Sequence, residues 1–198
     1  MITGLVANSF QNLQLDAGVF LKEFDYSQYN STSALKNAIS AAIGTDKCLG
    51  ATRGGGTFTA TPTTHSIEAD GKRYEFVGST RYDSWEIKLS TTLLEVTADT
   101  FSLALGSVKK TGSGVTKLEI NTQPKAADYI NNLCWVGELS DGGMVLISLA
   151  NAMNTSGANF TFSDKGEGTL PVEFTAYQSN VDDYDTAPAA VVFFPKAS

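Results

Sequence analysis

Gly50-Ala51-Thr52-Arg53-Gly54-Gly55-Gly56-Thr57-Phe58-Thr59-Ala60-Thr61-Pro62 is the stretch on which the fold turns. Thr57, Thr59, Thr61 and Thr63 alternate with Phe58, Ala60 and Pro62. Successive side chains on a strand point to opposite faces, so this spacing predicts a strand with one hydroxyl face. Three glycines ahead of it mark a bend or a close backbone approach at the strand's start. They are not a phosphate loop: no Lys-Ser/Thr follows them, and a strand stands where a helix would have to begin. A little further on comes Asp70-Gly71-Lys72-Arg73-Tyr74-Glu75-Phe76. Asp70-Gly71 fits a type I′ hairpin turn leading into a strand, with Tyr74 and Phe76 on one face and Arg73 and Glu75 on the other.

The period of two recurs along the chain. Trp85, Ile87 and Leu89 alternate with Glu86, Lys88 and Ser90, the pattern of a half-buried strand. Gly112-Ser113-Gly114 is a turn before a Leu118/Ile120 strand. Cys134 to Leu139 and Met144 to Leu149 flank Ser140-Asp141-Gly142-Gly143 as a hairpin. Its second arm is apolar on both faces, which places it between the core and another layer, or between subunits. Leu170, Val172, Phe174 and Ala176 make a last alternating strand, and Pro171, lacking a ladder donor, predicts an edge.

Helices are few. Leu35, Ala38, Ile39, Ala42 and Ile43 form one apolar stripe at helical spacing. Ser31-Thr32-Ser33 can cap its start, and Gly44 in a left-handed conformation can end it. Thr97 to Leu105 suits either period; a helix capped by Thr97 or Asp99 is preferred because Gly106 follows as a stop. The total of about eight strands and one or two short flanking helices predicts a mainly β protein, a β-sandwich or partial barrel.

At 198 residues, one domain spanning 1–198 is expected. Asp plus Glu outnumber Lys plus Arg by 21 to 14, for a net charge of −7. A dedicated nucleic-acid binder would show a basic balance instead. The first lysine is Lys22, so a basic leader is not expected, and no run nears the roughly 20 apolar residues that span a bilayer. No membrane insertion is expected. Cys48 and Cys134 sit in apolar company and read as buried free thiols of a reducing compartment, with a disulfide left open by spacing alone.

Catalytic prospects are thin, and no enzyme, metal or cofactor is expected. His65 is the one histidine, with no carboxylate in sequence until Glu68. It reads as exposed and structural rather than as a general base. Asp182-Asp183-Tyr184-Asp185, with Asn180 nearby, lacks the glycine and closing Glu of a calcium loop and reads as a solvated acidic loop. Glu167 and Glu173 could be paired for glycoside hydrolysis, but among 21 acids such a pairing has little specificity. Val191-Val192-Phe193-Phe194-Pro195 is either a final core strand or a dock for a neighbour. Gly- and Thr-rich strand ends are pairing edges, an assembly device in an oligomer.

Five blocks together resemble the major tail tube proteins of long-tailed, siphophage-type bacteriophages. They are Leu15-Asp16-Ala17-Gly18-Val19-Phe20-Leu21-Lys22, then Leu49 through Phe58 with the glycine run, then Asp70-Gly71-Lys72-Arg73. Asp83-Ser84-Trp85 follows, and Gly166-Glu167-Gly168-Thr169-Leu170-Pro171-Val172-Glu173-Phe174-Thr175-Ala176-Tyr177 closes the set. The resemblance covers about residues 13 to 178; the stretch after Gln178 fits no pattern.

The resemblance implies a tail-tube fold assembled six to a ring, with rings stacked into a hollow conduit for genome ejection into the bacterial host. Sheets of six subunits would join edge to edge around the channel, removing their exposed edges. Residues 1–30 would be an N-terminal assembly arm and 179–198 a C-terminal arm. The expected subunit interface comprises Arg53, Gly54, Gly55, Gly56, Thr57, Asp70, Gly71, Phe193 and Phe194. Glu75, Glu86, Glu138 and Glu173 are candidates to face the lumen, where acids would repel passing DNA and keep the conduit non-adhesive. Further implied partners are a tape measure protein, tail assembly chaperones, a tail terminator and a distal tail protein. The expected location is the virion tail, after assembly in the host cytoplasm. Other classes stay open: a β-sandwich module for carbohydrate or receptor, using Tyr26, Tyr29, Tyr82 and Tyr184, or another virion ring such as a tail terminator or capsid decoration protein.

Overall fold

The computed structural model describes residue 4 and residues 9–113, 115–179 and 188–196. The protein is mainly β and sandwich-like. Its described strands are β1 (Val19–Leu21), β2 (Thr52–Ser66), β3 (Thr80–Leu93), β4 (Val108–Thr111), β5 (Lys117–Ile120), β6 (Ile130–Glu138), β7 (Met144–Asn154), β8 (Leu170–Tyr177) and β9 (Ala190–Phe193). Two helices, α1 (Thr32–Ile43) and α2 (Ala98–Leu105), accompany them. Seven strands form one antiparallel sheet in the order β1-β6-β7-β8-β3-β2, with β9 added on β7; β4 and β5 form a separate pair.

The large sheet curls on itself. Phe20, Leu133, Leu149, Phe174, Leu89 and Leu93 come from five of its strands and meet in one buried cluster. The outer side of β1 is held by the segment that runs into β2: Lys22 N–H donates to the Lys47 carbonyl (2.8 Å) and Leu49 N–H to the Phe20 carbonyl (3.0 Å). The first and last strands thus approach, and Phe20 lies where a side chain on Gly56 would stand. α2 covers this core with Phe101, Leu103 and Ala104. On the outer face of β1, β6 and β7, α1 lays Leu35, Ile39 and Ala42 over Leu21, Cys134, Val136 and Leu146 in a second cluster.

Both helices follow their local signals. The Ser31 side chain accepts the Ala34 N–H, and α2 opens with a capping box between Thr97 and Thr100. Gly44 differs from expectation: its φ is −81°, so α1 ends without a left-handed residue. Ile43, at the end of the stripe, is exposed. The 134–149 hairpin forms as β6 and β7, and the doubly apolar β7 is buried between the two clusters within the chain. Gly114 lies outside the described residues.

Other expectations are corrected. Asp70-Gly71 does not lead into a strand. The turn is closed by Lys72 N–H to the Ala69 carbonyl (3.0 Å), with Gly71 at φ 84° and Asp70 outside the positive-φ region that a type I′ turn needs. Tyr74 and Phe76 instead lie exposed in the loop 67–79 that joins β2 to β3. β8 is not an edge strand either, being paired to β3 by residues Leu170–Thr175 and to β7 by Phe174–Tyr177. Pro171 is tolerated because it lies beyond the β7 ladder. Glu173, two residues on, turns its N–H and carbonyl to Asn154 and Thr155 on the side away from β3, and Pro171 shares that orientation. The cysteines are free. Leu21 separates them, paired to Cys134 on one side and Cys48 on the other. Two ladder steps, roughly 10 Å, exceed disulfide reach. Burial pushes the Cys134 thiol up to about 12.

The glycine run is a bulge. Arg53 pairs with Thr92 and Gly56 with Thr91, so Gly54 and Gly55 are extra residues, at φ 75° and 74°. A Cβ at Gly54 or Gly55 would meet nothing within 4 Å, whereas one at Gly56 would stand 2.5 Å from the Ser90 carbonyl oxygen and 2.8 Å from Phe20 Cζ. Gly56→Ala is therefore expected to destabilise the fold by about 1–3 kcal/mol through overpacking, and Gly55→Ala by about 1 kcal/mol through its left-handed backbone alone. Thermal unfolding of the two variants checks the order; equal melting points would refute the close contact at Gly56.

Candidate functional site

Past the body of the sheet, β2 and β3 continue as a two-stranded ribbon. β8 covers β3 only from Lys88 to Leu93, so Ala60–Ser66 and Thr80–Ile87 pair with each other alone. At about 3.3 Å per residue, the seven residues from Ala60 to Ser66 project some 23 Å. The outer edge of β2 has no described strand beside it, and neither has the outer edge of this part of β3. Isolated two-stranded ribbons are marginal in water, and open edges invite pairing.

Register assigns the ribbon two unlike faces. Thr57, Thr59, Thr61 and Thr63 oppose Ser90, Lys88, Glu86 and Ser84, and β8 extends the same face with Glu173 and Thr175 opposite Ser90 and Lys88. This face is hydroxyl-rich, with one charge node: Lys88 Nζ lies 2.7 Å from Glu86 and 3.2 Å from Glu173. Those two carboxylates, hydrogen-bonded to the amine, hold its pKa above the usual lysine range. The other face carries Phe58, Ala60, Pro62, Trp85, Ile87 and Leu89, continuing the core outward into solvent. A second bulge at Asp83 sets Tyr82 opposite Thr64, on the same face as Trp85. The two rings stand 5.3 Å apart, with Tyr82 67% and Trp85 52% exposed.

The loop at the ribbon's tip is clamped. Lys72, its side chain only 8% exposed, bonds through Nζ to Ser66 Oγ, to the Ile67 carbonyl (3.0 Å) and to Glu75 (3.0 Å). The Glu75 carboxylate also accepts from Ser66 Oγ (2.6 Å) and Ser79 Oγ (2.8 Å). Ser66, Lys72 and Ser79 together hold that carboxyl down at about 2, from an ordinary 4.5. Tyr74, Phe76 and Val77 are presented outward from this fixed frame.

The expected site residues are only partly brought together. Arg53 to Thr57 form the bulge at the ribbon's root, with Arg53 held to Glu167 at 2.8 Å. A shallow groove of about 380 Å3 lies between this bulge and Glu173. Asp70 and Gly71 stand at the opposite end, on the tip loop. Phe193 is turned inward against Tyr26 (5.4 Å), while Phe194 is 63% exposed. Of the four acids, Glu86 and Glu173 share the hydroxyl face, Glu75 belongs to the tip clamp, and Glu138 is bound to Lys36 of α1 at 2.9 Å. Tyr26 packs on Phe193 and Tyr29 stacks on Phe24, so neither joins Tyr82. Asn180 and the Asp182–Asp185 loop with Tyr184 lie outside the described residues.

One chemical pairing escaped the sequence. His65 Nδ1 is 2.5 Å from Asp83, a carboxylate 18 residues away that the ribbon's register brings across. No described hydroxyl or thiol hydrogen-bonds to His65, and no described cluster of three or more His, Cys, Asp or Glu is arranged to hold a metal. No described helix is long and apolar enough to cross a membrane. Compared with known protein families and with curated protein sequences, the chain matches none.

The clamp yields a pH prediction. Because folding lowers the Glu75 pKa, its contribution is complete above about 4.5 and is lost as pH falls toward about 2. Hydrogen exchange at the loop 67–79 amides is expected to quicken across that window, normalised for intrinsic rate, and Glu75→Gln is expected to abolish the dependence. A wild-type loop equally protected at both ends would refute the clamp.

Proposed function

We propose that this protein is a structural virion subunit, a tail tube protein of the long-tailed phage type, whose activity is self-assembly into six-membered rings stacked as a hollow conduit. One observation carries the reading: the β2–β3 ribbon, with no described strand on either outer edge and an apolar face exposed at Ala60, Pro62, Tyr82 and Trp85. A sheet hydrophobic on one face needs a second layer.

In this reading, the ribbon's edges pair with ribbons of neighbouring copies and its apolar face packs on their bodies. The threonine face would then line the bore, with Glu86, Lys88 and Glu173 as its charge. Neutral hydroxyls beside a node of net negative charge offer phosphates no counterion to exchange, so DNA would pass without adhering. The sequence blocks described above support the ring and tube geometry, and with it the other tail components as partners.

A glycan-binding module is the second reading, favoured by the exposed Tyr82–Trp85 pair. Electron microscopy of the concentrated, purified protein separates the two. Hollow tubes or stacked six-fold rings are expected, and Trp85→Lys is expected to keep the wild-type melting point while forming none. Closed dimers or trimers, or saturable glycan binding by a monomer that Trp85→Lys removes, would overturn the tube.

A further inference from the structure

The chain's charge is unevenly placed. Residues 108–125 hold Lys109, Lys110, Lys117 and Lys125 against one acid, Glu119, so this segment stands at +3 and the rest of the chain at −10, against the total of −7. β4 and β5 form this segment's hairpin, outside the seven-stranded sheet. Lys110 turns to α2, where it meets Asp99 at 2.5 Å. The opposite face carries Lys109 across from Glu119 and Thr111 across from Lys117. Lys109 and Lys117 are diagonal neighbours, about 7–8 Å apart, a spacing at which like charges repel. Glu119 is shared with the Thr111 hydroxyl (3.2 Å), and neither lysine has an ion-pair partner among the described residues.

Hydrogen bonds close the base of the hairpin. Ser107 Oγ donates to Asp128 (2.6 Å), Asn121 Nδ2 donates to Ser107 Oγ (3.1 Å), and Lys125 N–H donates to Asp128 (2.7 Å). Val115, between the two strands, is 62% exposed, and Ile120, opposite Val108 on the Lys110 face, is 71% exposed.

We propose that the β4–β5 hairpin is an electrostatic docking surface for the acidic surface of a second copy of this chain. Charge complementarity selects the partner: outside this segment the described residues of a neighbouring copy hold 17 acids against 10 lysines and arginines. The exposed Val115 at the end of the hairpin suits a protein surface rather than a phosphate backbone, which is gripped by charge and polar donors. A basic patch meeting a different, acidic patch is a heterologous contact, which closes into rings or extends into stacks. The inference rests on the self-assembly reading and adds to it a lysine-dependent, salt-sensitive step.

The test uses the full chain as wild type, Lys109→Glu/Lys117→Glu and Lys109→Gln/Lys117→Gln, each checked for native circular dichroism. Assembly is followed by sedimentation and electron microscopy from about 50 to about 500 mM NaCl, a range over which screening of exposed charges becomes strong. Wild-type assembly is expected to weaken with salt, and the charge-reversed variant to need a roughly ten-fold higher concentration at low salt, with the neutral variant between. Variants that assemble like wild type at every salt concentration would overturn the hairpin's role and leave self-assembly standing. A wild type that never assembles would overturn both. Duplex DNA binding lost in the neutral variant, with assembly unchanged, would assign the hairpin to a nucleic acid and overturn the proposal as well.

Discussion

Everything distinctive in this molecule depends on β2 serving two environments. Its root must come within contact of Phe20 to help close the curled sheet, and its remainder must leave the body as a ribbon. A regular strand cannot do both, because its twist would carry it on around the core. Two extra residues at Gly54 and Gly55 break the register and redirect the strand. Gly56 then lets the Phe20 ring and the Ser90 carbonyl approach where a side chain would stand. The bulge thus couples the approach to β1 at one end of β2 to projection at the other. Thr91 Oγ1, donating to the Gly55 carbonyl at 2.7 Å, ties the bulged backbone back to β3.

How far these features could be read from sequence depends on how local their causes are. α1 and α2 were legible because caps and apolar spacing act within one or two turns. The alternating threonines announced a strand with a hydroxyl face, and β2 has one. Tyr74 and Phe76 alternate just as well, yet they have no cross-strand partner, and a strand without a ladder is only a pattern. Asp70-Gly71 does form a turn, but the Lys72 clamp, not that turn, organises the loop. Pro171 signals a missing donor and not an edge, because a ladder can stop short of it. The His65–Asp83 pair, and the alignment of Tyr82 with Trp85, both depend on one bulge whose position no local signal marks.

The candidate site was legible in its composition and illegible in its geometry. The glycine run and the threonines were recognisable as edge-forming, and they lie at the root and along the length of the ribbon. The four acids could not be sorted by eye, since a one-residue shift in register reverses a face. Registers now sort them: Glu86 and Glu173 converge on Lys88, while Glu138 is held by Lys36 beside α1. A single sheet face is therefore covered by a helix over β1, β6 and β7, and over β8, β3 and β2 it is polar with no described helix on it.

That polar half raises the question of how a chain whose outer strand edges have no described partner avoids indiscriminate pairing. Three features oppose it. Pro62 interrupts the donor row of β2, the Asp83 bulge distorts the facing strand, and a net charge of −7 keeps copies apart at long range. Each is a modest obstacle to disordered aggregation, and none blocks a partner that arrives in one register. Specific association would have to overcome the charge term locally, with cations set against the carboxylates of the incoming copy. The same chain can then be inert toward random encounters and competent for an ordered one, because repulsion acts over the whole surface whereas attraction is confined to matched patches.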